Sequence, residues 1–145
     1  MRLVVQRVAR SEVRVRGEVV ASGGRGLLIL VGVGADDAEG EPQRLAEKVY
    51  NLRIFEDQDG KMNISLADVG GDVVVVPQFT LYGDTSRGRR PSWVHAAPPE
   101  VASKRVEELA AALSSLGATV ATGAFQEHME VELVNDGPVT LVLEA

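Results

Sequence analysis

Few side chains in this sequence could act as a nucleophile, a general base or a metal ligand. The chain contains no cysteine, only two histidines, His95 and His128, and no Gly-x-Ser-x-Gly motif. A zinc site, a Cys-His pair and a Ser-His-Asp triad therefore lack the residues that they need. We expect each histidine to be structural or solvent-facing, and we predict no metal site and no cofactor.

The stretch PQFTL, residues 77–81, contains the most obvious hydroxyl group, that of Thr80. A threonine nucleophile needs an activating base, and the sequence does not point to one. The alternative is that Phe79 and Thr80 act through their main-chain N–H groups, which can hold an ester carbonyl and stabilise its developing oxyanion. We favour this backbone model over a nucleophile, and the remaining alternative is that Thr80 is an ordinary β-branched strand residue.

Two glycine-containing stretches indicate special backbone geometry. VGVGADD, residues 31–37, begins like a dinucleotide-binding fingerprint, but Asp37 stands where the third glycine is required, so that function is set aside. Asn135-Asp136-Gly137-Pro138 lies between apolar, β-rich pieces, and turn chemistry alone predicts a hairpin connector there. A Gly-Pro step near a cleft could instead fix the direction of a carbonyl, and composition does not choose between these roles.

Charge is distributed unevenly along the chain. The net charge is −6, yet residues 1–25 carry +4 and residues 84–95 carry +2, the latter island holding Arg87, Arg89 and Arg90. The total argues against a general nucleic-acid binder, whereas the two basic islands are candidate contacts to phosphate. The alternative is that these arginines only form a solvated face.

The apolar pattern predicts the elements that must position these groups. Strands are expected at 3–9, at 11–22 with a turn at Arg16-Gly17, at 26–33, on both sides of an Asp59-Gly60 turn, and at 72–81, 118–122 and 128–143. Helices are expected at 41–52, with Pro42 in the first turn, and at 99–116, ended by Gly117. We therefore expect one α/β (α+β) domain over residues 1–145, with mixed β-sheets in a barrel-like sandwich and two main helices.

The composition also bears on where the chain works. Hydrophobic residues make up 45% of the sequence, which is sufficient for a core, and there is no charged-then-apolar leader. No apolar run approaches the ~20 residues of a membrane span. We expect a cytoplasmic protein that does not associate with membranes.

Several stretches carry a resemblance to a known family. They are VVQRV at 4–8, RIF and GKMN within 53–63, PQFTLYGDTSRGRRPSW at 77–93 and FQEHMEVELVNDGPVT at 125–140. In length, order and spacing they resemble the bacterial-type D-aminoacyl-tRNA deacylases. The two signatures of that family are Ser-Gln-Phe-Thr-Leu and Asn-x-Gly-Pro-Val/Phe-Thr.

One position departs from the first signature, because Pro77 stands where the family has serine. Proline has neither a hydroxyl nor an N–H group, so no mechanism in which that serine attacks or relays a proton applies to this chain. The other signature residues match. We therefore expect position 77 to be a strand residue with little chemical duty, rather than the mark of an impaired enzyme.

The resemblance implies a hydrolase that cleaves the ester of D-aminoacyl-tRNA as chiral proofreading, acting on the 3′ end of the aminoacylated tRNA. Gln78, Phe79 and Thr80 would form the catalytic stretch, with water as the attacker, activated with help from the free 2′-hydroxyl of the terminal adenosine. Gly137 and Pro138, joined by a cis bond, would reach from one subunit of a homodimer into the partner's active site. There they would reject L-residues by exclusion, so that glycyl-tRNA is also accepted.

Further residues have supporting roles on this interpretation. Those expected to support the site are Arg7, Met129, Asn135 and Thr140, and those expected to contact tRNA phosphates are Arg87, Arg89 and Arg90. Two alternatives remain open: a non-catalytic RNA-binding module that uses the same arginines, and a related deacylase with a trans Gly-Pro step and relaxed chirality. Neither the preferred amino acid nor the preferred tRNA follows from the sequence.

Overall fold

Eight β-strands and three α-helices make up the computed structural model, which describes all of residues 1–145. The strands are β1 (Arg2–Val15), β2 (Glu18–Gly23), β3 (Gly26–Gly32), β4 (Phe55–Glu56), β5 (Met62–Ile64), β6 (Asp72–Pro77), β7 (Thr119–Thr122) and β8 (Glu130–Glu144). The helices are α1 (Glu41–Asn51), α2 (Leu66–Val69) and α3 (Pro99–Leu116), and a 3-10 helix covers Phe79–Tyr82.

One six-stranded sheet organises the fold. Its order is β2-β1-β3-β6-β7, and β8 pairs with β1 as well. β3, β6 and β7 run parallel to one another, whereas β1 is antiparallel to β2, β3 and β8. Because the long β1 pairs along its length with three other strands, the sheet curls into a nearly closed, barrel-like form, which confirms the expected mixed α+β class.

Apolar layers cover both faces of this sheet. On one face, Leu45 and Val49 of α1 and Leu109 and Leu113 of α3 are buried against the sheet. The smaller layer on the opposite face consists of Val8, Val13, Ala21, Leu28, Val74 and Val76. β3 and β6 bury side chains on both faces, as their continuous apolar sequences predict.

Both expected helices are present, and a third is added. α3 begins and ends where its apolar periodicity predicts, and Gly117 follows it with a left-handed φ of +114°. α2 was not expected, because four residues are too few to display a helical period. Its start is nevertheless fixed by a capping box in which Ser65 and Asp68 hydrogen-bond each other's main chain.

Two of the expected strand boundaries are wrong. β1 continues through Arg10 instead of breaking there, because Ser11 points back into the interior and keeps the strand's alternation. The strand expected at 72–81 ends at Pro77, the last residue paired with β3. The N–H of Gln78 then donates to the carbonyl of Val31 at 2.8 Å, and the chain turns into the 3-10 helix.

Of the two roles left open for residues 135–138, the hairpin connector is not formed, because all four residues lie within β8, in agreement with the strand expected at 128–143. β1 is a continuous partner for this strand, so the chain does not reverse. The register pairs Gln6 with Thr140 and Val8 with Asn135, which leaves the single residue Arg7 opposite residues 136–139. These four residues therefore form a bulge on β8, and we refer to residues 136–139 as the β8 bulge.

Candidate active site

A cleft of about 740 Å³ opens at the carboxyl end of β6. Residues 76–79 form one wall, residues 125–129 form another, and the start of α3 with Trp93 completes the lining. Most of these side chains are apolar. Ligands of parallel sheets commonly bind beyond the carboxyl ends of the strands, so this position suits a small-molecule group. We refer to it as the β6 cleft.

The main-chain N–H groups of Phe79 and Thr80 are unpaired at this end of β6. Both residues begin the 3-10 helix, where the first amides have no carbonyl inside the helix to bond. No other backbone or side-chain group of the chain accepts from them either. Two adjacent amides are therefore available to hold an oxygen that gains negative charge.

The hydroxyl of Thr80 has no basic partner. Its oxygen accepts a hydrogen bond from the side-chain amide of Gln78, and a primary amide cannot take up a proton from a nucleophile. Gln78 and Phe79 line the β6 cleft, while Thr80 is exposed and does not line it. The arrangement thus favours the amides over the hydroxyl as the useful groups of this segment.

Pro77 occupies a position where a proline, which has no N–H, breaks no hydrogen bond of the sheet. It is the last residue of β6 and lies beyond the segment that pairs with β7, which ends at Val75. Its neighbour Gln78 supplies the next ladder bond to β3. The ring lines the β6 cleft. Proline at a strand end removes no hydrogen bond, which is consistent with a structural role for this position.

Phe79 and Trp93 form an exposed aromatic pair in the cleft wall. Their ring centroids are 5.0 Å apart with an interplanar angle of 66°, and the two residues are 56% and 42% exposed. Trp93 packs so closely against Gly83 that a Cβ there would lie 2.8 Å from the indole. Two large rings held open to solvent give the cleft wall an exposed aromatic surface.

The second basic island forms a loop beside this aromatic pair. Asp84 and Ser92 close the loop through two main-chain hydrogen bonds of 2.8 and 2.9 Å. The pKa of Asp84 lies below its usual value because the hydroxyl and the N–H of Ser86 hydrogen-bond its carboxylate. Between these ends the three cations are exposed and form no ion pair with another residue: Arg87, Arg89 and Arg90.

The first basic island is arranged differently. Five of its six arginines lie within ion-pair distance of an acidic residue of the same chain, as Arg2 with Glu144 at 2.6 Å and Arg16 with Glu127 at 3.1 Å. Arg10 and Arg14 share Glu132 on β8. The structure therefore favours the solvated-face alternative for this island.

The β8 bulge is held by the buried side chain of Arg7, which is 5% exposed. Its Nε donates to the carbonyl of Asp136 at 3.0 Å, and its NH1 donates to the carbonyl of Ile54 at 2.7 Å. The carboxylates of Asp136 and Glu56 lie 3.4 and 3.9 Å from the guanidinium. One side chain thus joins β1, the segment before β4 and the bulge.

Asn135 fixes the bulge from its other side. Its side-chain amide donates to the carbonyls of Arg7 and Val139, both at 2.9 Å. Between them, Gly137 has a φ of +141°, and a Cβ on it would lie 2.8 Å from the Val139 N and Cγ2 atoms. Only glycine fits this position. The Gly137–Pro138 peptide bond is cis, and both residues are exposed.

The structure brings only some of the expected site residues together. Gln78, Phe79 and Met129 line the β6 cleft, whereas the β8 bulge with its supporting residues does not. Thr140 belongs to the second group and accepts a hydrogen bond from Gln6 at 3.3 Å. In one chain the two signatures therefore occupy separate places. Trp93 and Phe125 also line the cleft and were not singled out, although the lone tryptophan was a visible signal. His128, which was expected to be structural or solvent-facing, lines the cleft as well.

No group of three or more His, Cys, Asp or Glu side chains is arranged to hold a metal ion. None of the helices combines the length and the apolar character that a membrane-crossing helix requires.

Comparisons with known proteins agree with these motifs. The model of the D-Tyr-tRNA(Tyr) deacylase family matches residues 4–144. A D-aminoacyl-tRNA deacylase of Heliobacterium modesticaldum is 56% identical over 144 residues, covering 99% of this chain and 96% of the relative. That of Thermotoga petrophila is 53% identical, covering 100% of this chain and 97% of the relative.

Solved structures give the same fold. A c-Myc DNA Unwinding Element Binding Protein superimposes with a TM-score of 0.94 at 36% identity, covering 100% of this chain and 99% of that one. A probable eukaryotic D-amino acid tRNA deacylase has a TM-score of 0.81 at 18% identity over 98% of this chain and 97% of its own, which supports the fold alone. The chain therefore belongs to the D-Tyr-tRNA(Tyr) deacylase family and is a deacylase.

Proposed function

We propose that this chain hydrolyses the ester bond of D-aminoacyl-tRNA, as chiral proofreading in translation, through main-chain groups. The observation that carries the proposal is the pair of unpaired amides at Phe79 and Thr80, which lie beside the β6 cleft in a segment that has no side-chain base of its own. A water molecule adds to the ester carbonyl, and the two N–H groups hold the resulting oxyanion. The C–O bond to the ribose then breaks, the ribose oxygen takes a proton, and the free D-amino acid leaves.

Activation of the water comes from the substrate in this mechanism. Residues 77–80 contain no group that could act as a base, since the partner of the Thr80 hydroxyl is the side-chain amide of Gln78, which donates a hydrogen bond to it. The 2′-hydroxyl of the terminal adenosine lies next to the ester on the ribose, and it assists the proton transfer there. No cofactor is required, because each step only moves protons and a carbonyl electron pair.

The β6 cleft and its rim accept the 3′ end of the tRNA. The exposed rings of Phe79 and Trp93 present a surface on which a nucleobase stacks, a contact worth about 1–3 kcal/mol per base. The loop that carries Arg87, Arg89 and Arg90 lies beside this pair and contacts the phosphates that lead to it.

The chirality filter comes from a second copy of the chain. We call Gly137 and Pro138 the gate. Both residues are exposed and do not line the cleft of their own chain. The bulge that carries them is held in place by Arg7 and Asn135. β8 pairs only with β1, so its other edge is open to a partner. In the homodimer the gate of one subunit enters the cleft of the other.

Selection at the gate works by exclusion. The carbonyl of Gly137, held near the substrate Cα, leaves room for hydrogen but not for a side chain. An L-residue clashes there, whereas a D-residue turns its side chain outward. The gate makes no contact with a D-side chain, so the enzyme accepts many D-residues, and glycine meets no clash either. Residues 1–145 act as one domain, and the substrate places the enzyme in the cytoplasm.

The proposal is tested by deacylation of D- and L-tyrosyl-tRNA with two variants at one position. Thr80→Ala removes the hydroxyl and keeps the N–H, so it should retain substantial activity on the D-substrate. Thr80→Pro removes the N–H as well and should lower the rate by 10²-fold or more, the order expected for one oxyanion donor.

The controls distinguish the alternatives. Circular dichroism must show that both variants fold, because proline restricts the residue before it. A folded but inactive Thr80→Ala enzyme would assign the reaction to the hydroxyl and refute the backbone mechanism. Binding of tRNA without turnover by the unaltered protein would instead indicate an RNA-binding module, and equal cleavage of both substrates would refute the filter.

A further inference from the structure

The 3-10 helix that carries Phe79 and Thr80 packs directly on the backbone of two glycines. A Cβ on Gly32 would lie 2.9 Å from the Cβ of Leu81 and 3.1 Å from the ring of Tyr82. A Cβ on Gly34 would lie 2.8 Å from the same ring. The two glycines of the VGVG stretch therefore permit the helix to approach the end of β3.

Arg2 bonds this helix from the neighbouring strand. It lies on β1 opposite Gly32 on one side and opposite Glu144 of β8 on the other. Its NH1 donates to the carbonyl of Leu81 at 2.6 Å, and its Nε donates to the carboxylate of Glu144 at 2.6 Å. The guanidinium carbon also lies 4.8 Å from the centroid of the Tyr82 ring.

From these contacts we propose that Arg2 is a positioning residue for the reaction, which fixes the 3-10 helix so that the Phe79 and Thr80 amides meet the ester carbonyl. The inference rests on the proposed function, because it gives Arg2 its effect through those amides. Arg2 itself does not line the β6 cleft and contacts no reacting group.

The chemistry of arginine suits this task. A guanidinium donates in two fixed directions at once, here to a helix carbonyl and to a carboxylate on a different strand. A cation at the carboxyl end of a helix also stabilises the local carbonyl dipoles. Leu81 follows Thr80 directly, so a bond to its carbonyl restrains the peptide units that carry the two amides.

The bond to Glu144 has a second consequence. Glu144 ends β8, the strand that also carries the β8 bulge. Arg2 therefore links the strand of the gate to the helix of the amides within one chain. The gate itself is held by Arg7, so loss of Arg2 is expected to slow the reaction without changing the preference for D- over L-residues.

The experiment measures single-turnover hydrolysis of D-tyrosyl-tRNA with the dimeric enzyme in excess. When the enzyme is also saturating, the rate constant does not depend on the fraction of enzyme that is folded. Arg2→Met should lower the rate constant by about 10- to 100-fold, the order expected when a catalytic group moves by about 1 Å. The dissociation constant for tRNA should change by less than about threefold, since the Arg2 charge is neutralised by Glu144.

Arg10→Met is the matched control. Arg10 lies on the same strand, and its guanidinium is 3.6 Å from the carboxylate of Glu132 on β8. It makes no contact with the 3-10 helix. Arg10→Met removes one positive charge, as Arg2→Met does, and should leave the rate constant unchanged. Glu144→Gln keeps Arg2 in place with a weaker anchor and should produce a smaller loss in the same direction, which preserves the test should Arg2→Met fail to fold.

The Thr80→Pro enzyme is measured in the same series so that the two proposals can fail separately. A slow Thr80→Pro with an Arg2→Met enzyme at the unaltered rate would overturn the role of Arg2 and leave the amides in place. A Thr80→Pro enzyme at the unaltered rate would overturn both. Equal losses in Arg2→Met and Arg10→Met would also overturn the role of Arg2, because charge rather than position would then account for them.

Discussion

Arg7 is the residue whose removal should lower both the stability of the chain and its rejection of L-substrates. Arg7→Met keeps the length of the side chain but removes the donors to the carbonyls of Ile54 and Asp136. Hydrogen bonds to charged groups contribute about 1.5–3 kcal/mol each, and relief from burying the charge offsets part of that loss. We expect the free energy of unfolding to fall by roughly 2–4 kcal/mol.

The same substitution should weaken the rejection of L-substrates. The bulge would keep the two bonds from Asn135 but lose its bond from Arg7, so the gate could retreat from an L-side chain. Loss of one charged hydrogen bond lowers the free energy needed to displace the gate by about the strength of that bond. The preference for D- over L-tyrosyl-tRNA should therefore fall by about 10- to 100-fold. The assay compares rate constants for both substrates, with urea unfolding measured alongside.

Arg10→Met serves as control here too, because it removes a charge from β1 without touching the bulge. An Arg7→Met enzyme that unfolds at the unaltered urea concentration and keeps its full preference would refute the reasoning. A loss of stability with unchanged preference would refute only the link between Arg7 and the gate.

The remaining predictions concern the gate and the basic loop. Gly137→Ala should destabilise the chain by about 1–3 kcal/mol and reduce activity, L-rejection or both, because its Cβ would lie 2.8 Å from Val139 atoms at a φ of +141°; unaltered unfolding and kinetics would contradict this. Neutralising Arg87, Arg89 and Arg90 should weaken tRNA binding and flatten its dependence on salt, whereas salt-independent binding by the unaltered protein would remove these residues from the interface. Glycyl- and D-alanyl-tRNA on one tRNA body should both be hydrolysed while L-alanyl-tRNA is not, and resistance of glycyl-tRNA alone would mean that the site recognises the D-side chain.

Most of the fold follows from local patterns in the sequence, and the exceptions have a common cause. The run DVVVVPQFTL has β-forming apolar residues on both sides of Pro77, so its pattern alone does not place the end of β6 there. The end is set by Gly32 and Gly34 on another strand, which give Leu81 and Tyr82 a place to pack. These contacts join residues that are 49 and 48 positions apart, Gly32 with Leu81 and Gly34 with Tyr82, so a local sequence pattern does not reveal them.

The β8 bulge gives the same lesson for the site. Asn-Asp-Gly-Pro has the composition of a turn, and an isolated peptide of that sequence would be expected to reverse. In the chain, β1 pairs with both flanks of the motif, so residues 136–139 bulge while the strand continues. The family resemblance identified the residues, but only the structure gives the roles of Ile54 and Asp136 as acceptors for Arg7.

Counting charges along the sequence does not show which arginines are paired in the fold, for a related reason. The N-terminal island of +4 is real in sequence, yet its partners Glu127, Glu132 and Glu144 are more than 100 residues away and belong to the end of the chain. Antiparallel pairing of β1 with β8 brings the two sets together. The loop of residues 85–91 has no such partner strand, which is why its arginines remain available for phosphate.

A filter that works by exclusion requires that two groups be rigid at the same time, the one that excludes and the one that reacts. In this chain both are held by arginines of a single strand: Arg2 bonds the helix of the amides, and Arg7 bonds the bulge of the gate. The two residues are separated by five positions on β1, so the distance between their anchoring points is fixed by one continuous β-strand. In the proposed dimer, the gate of one subunit meets the amides of the other. Each active site therefore depends on Arg7 of one subunit and on Arg2 of the other. Substitution of either arginine should therefore be visible in a different observable, the rate for Arg2 and the preference for D- over L-residues for Arg7. The double variant should show both losses, each of the size seen in the single variant.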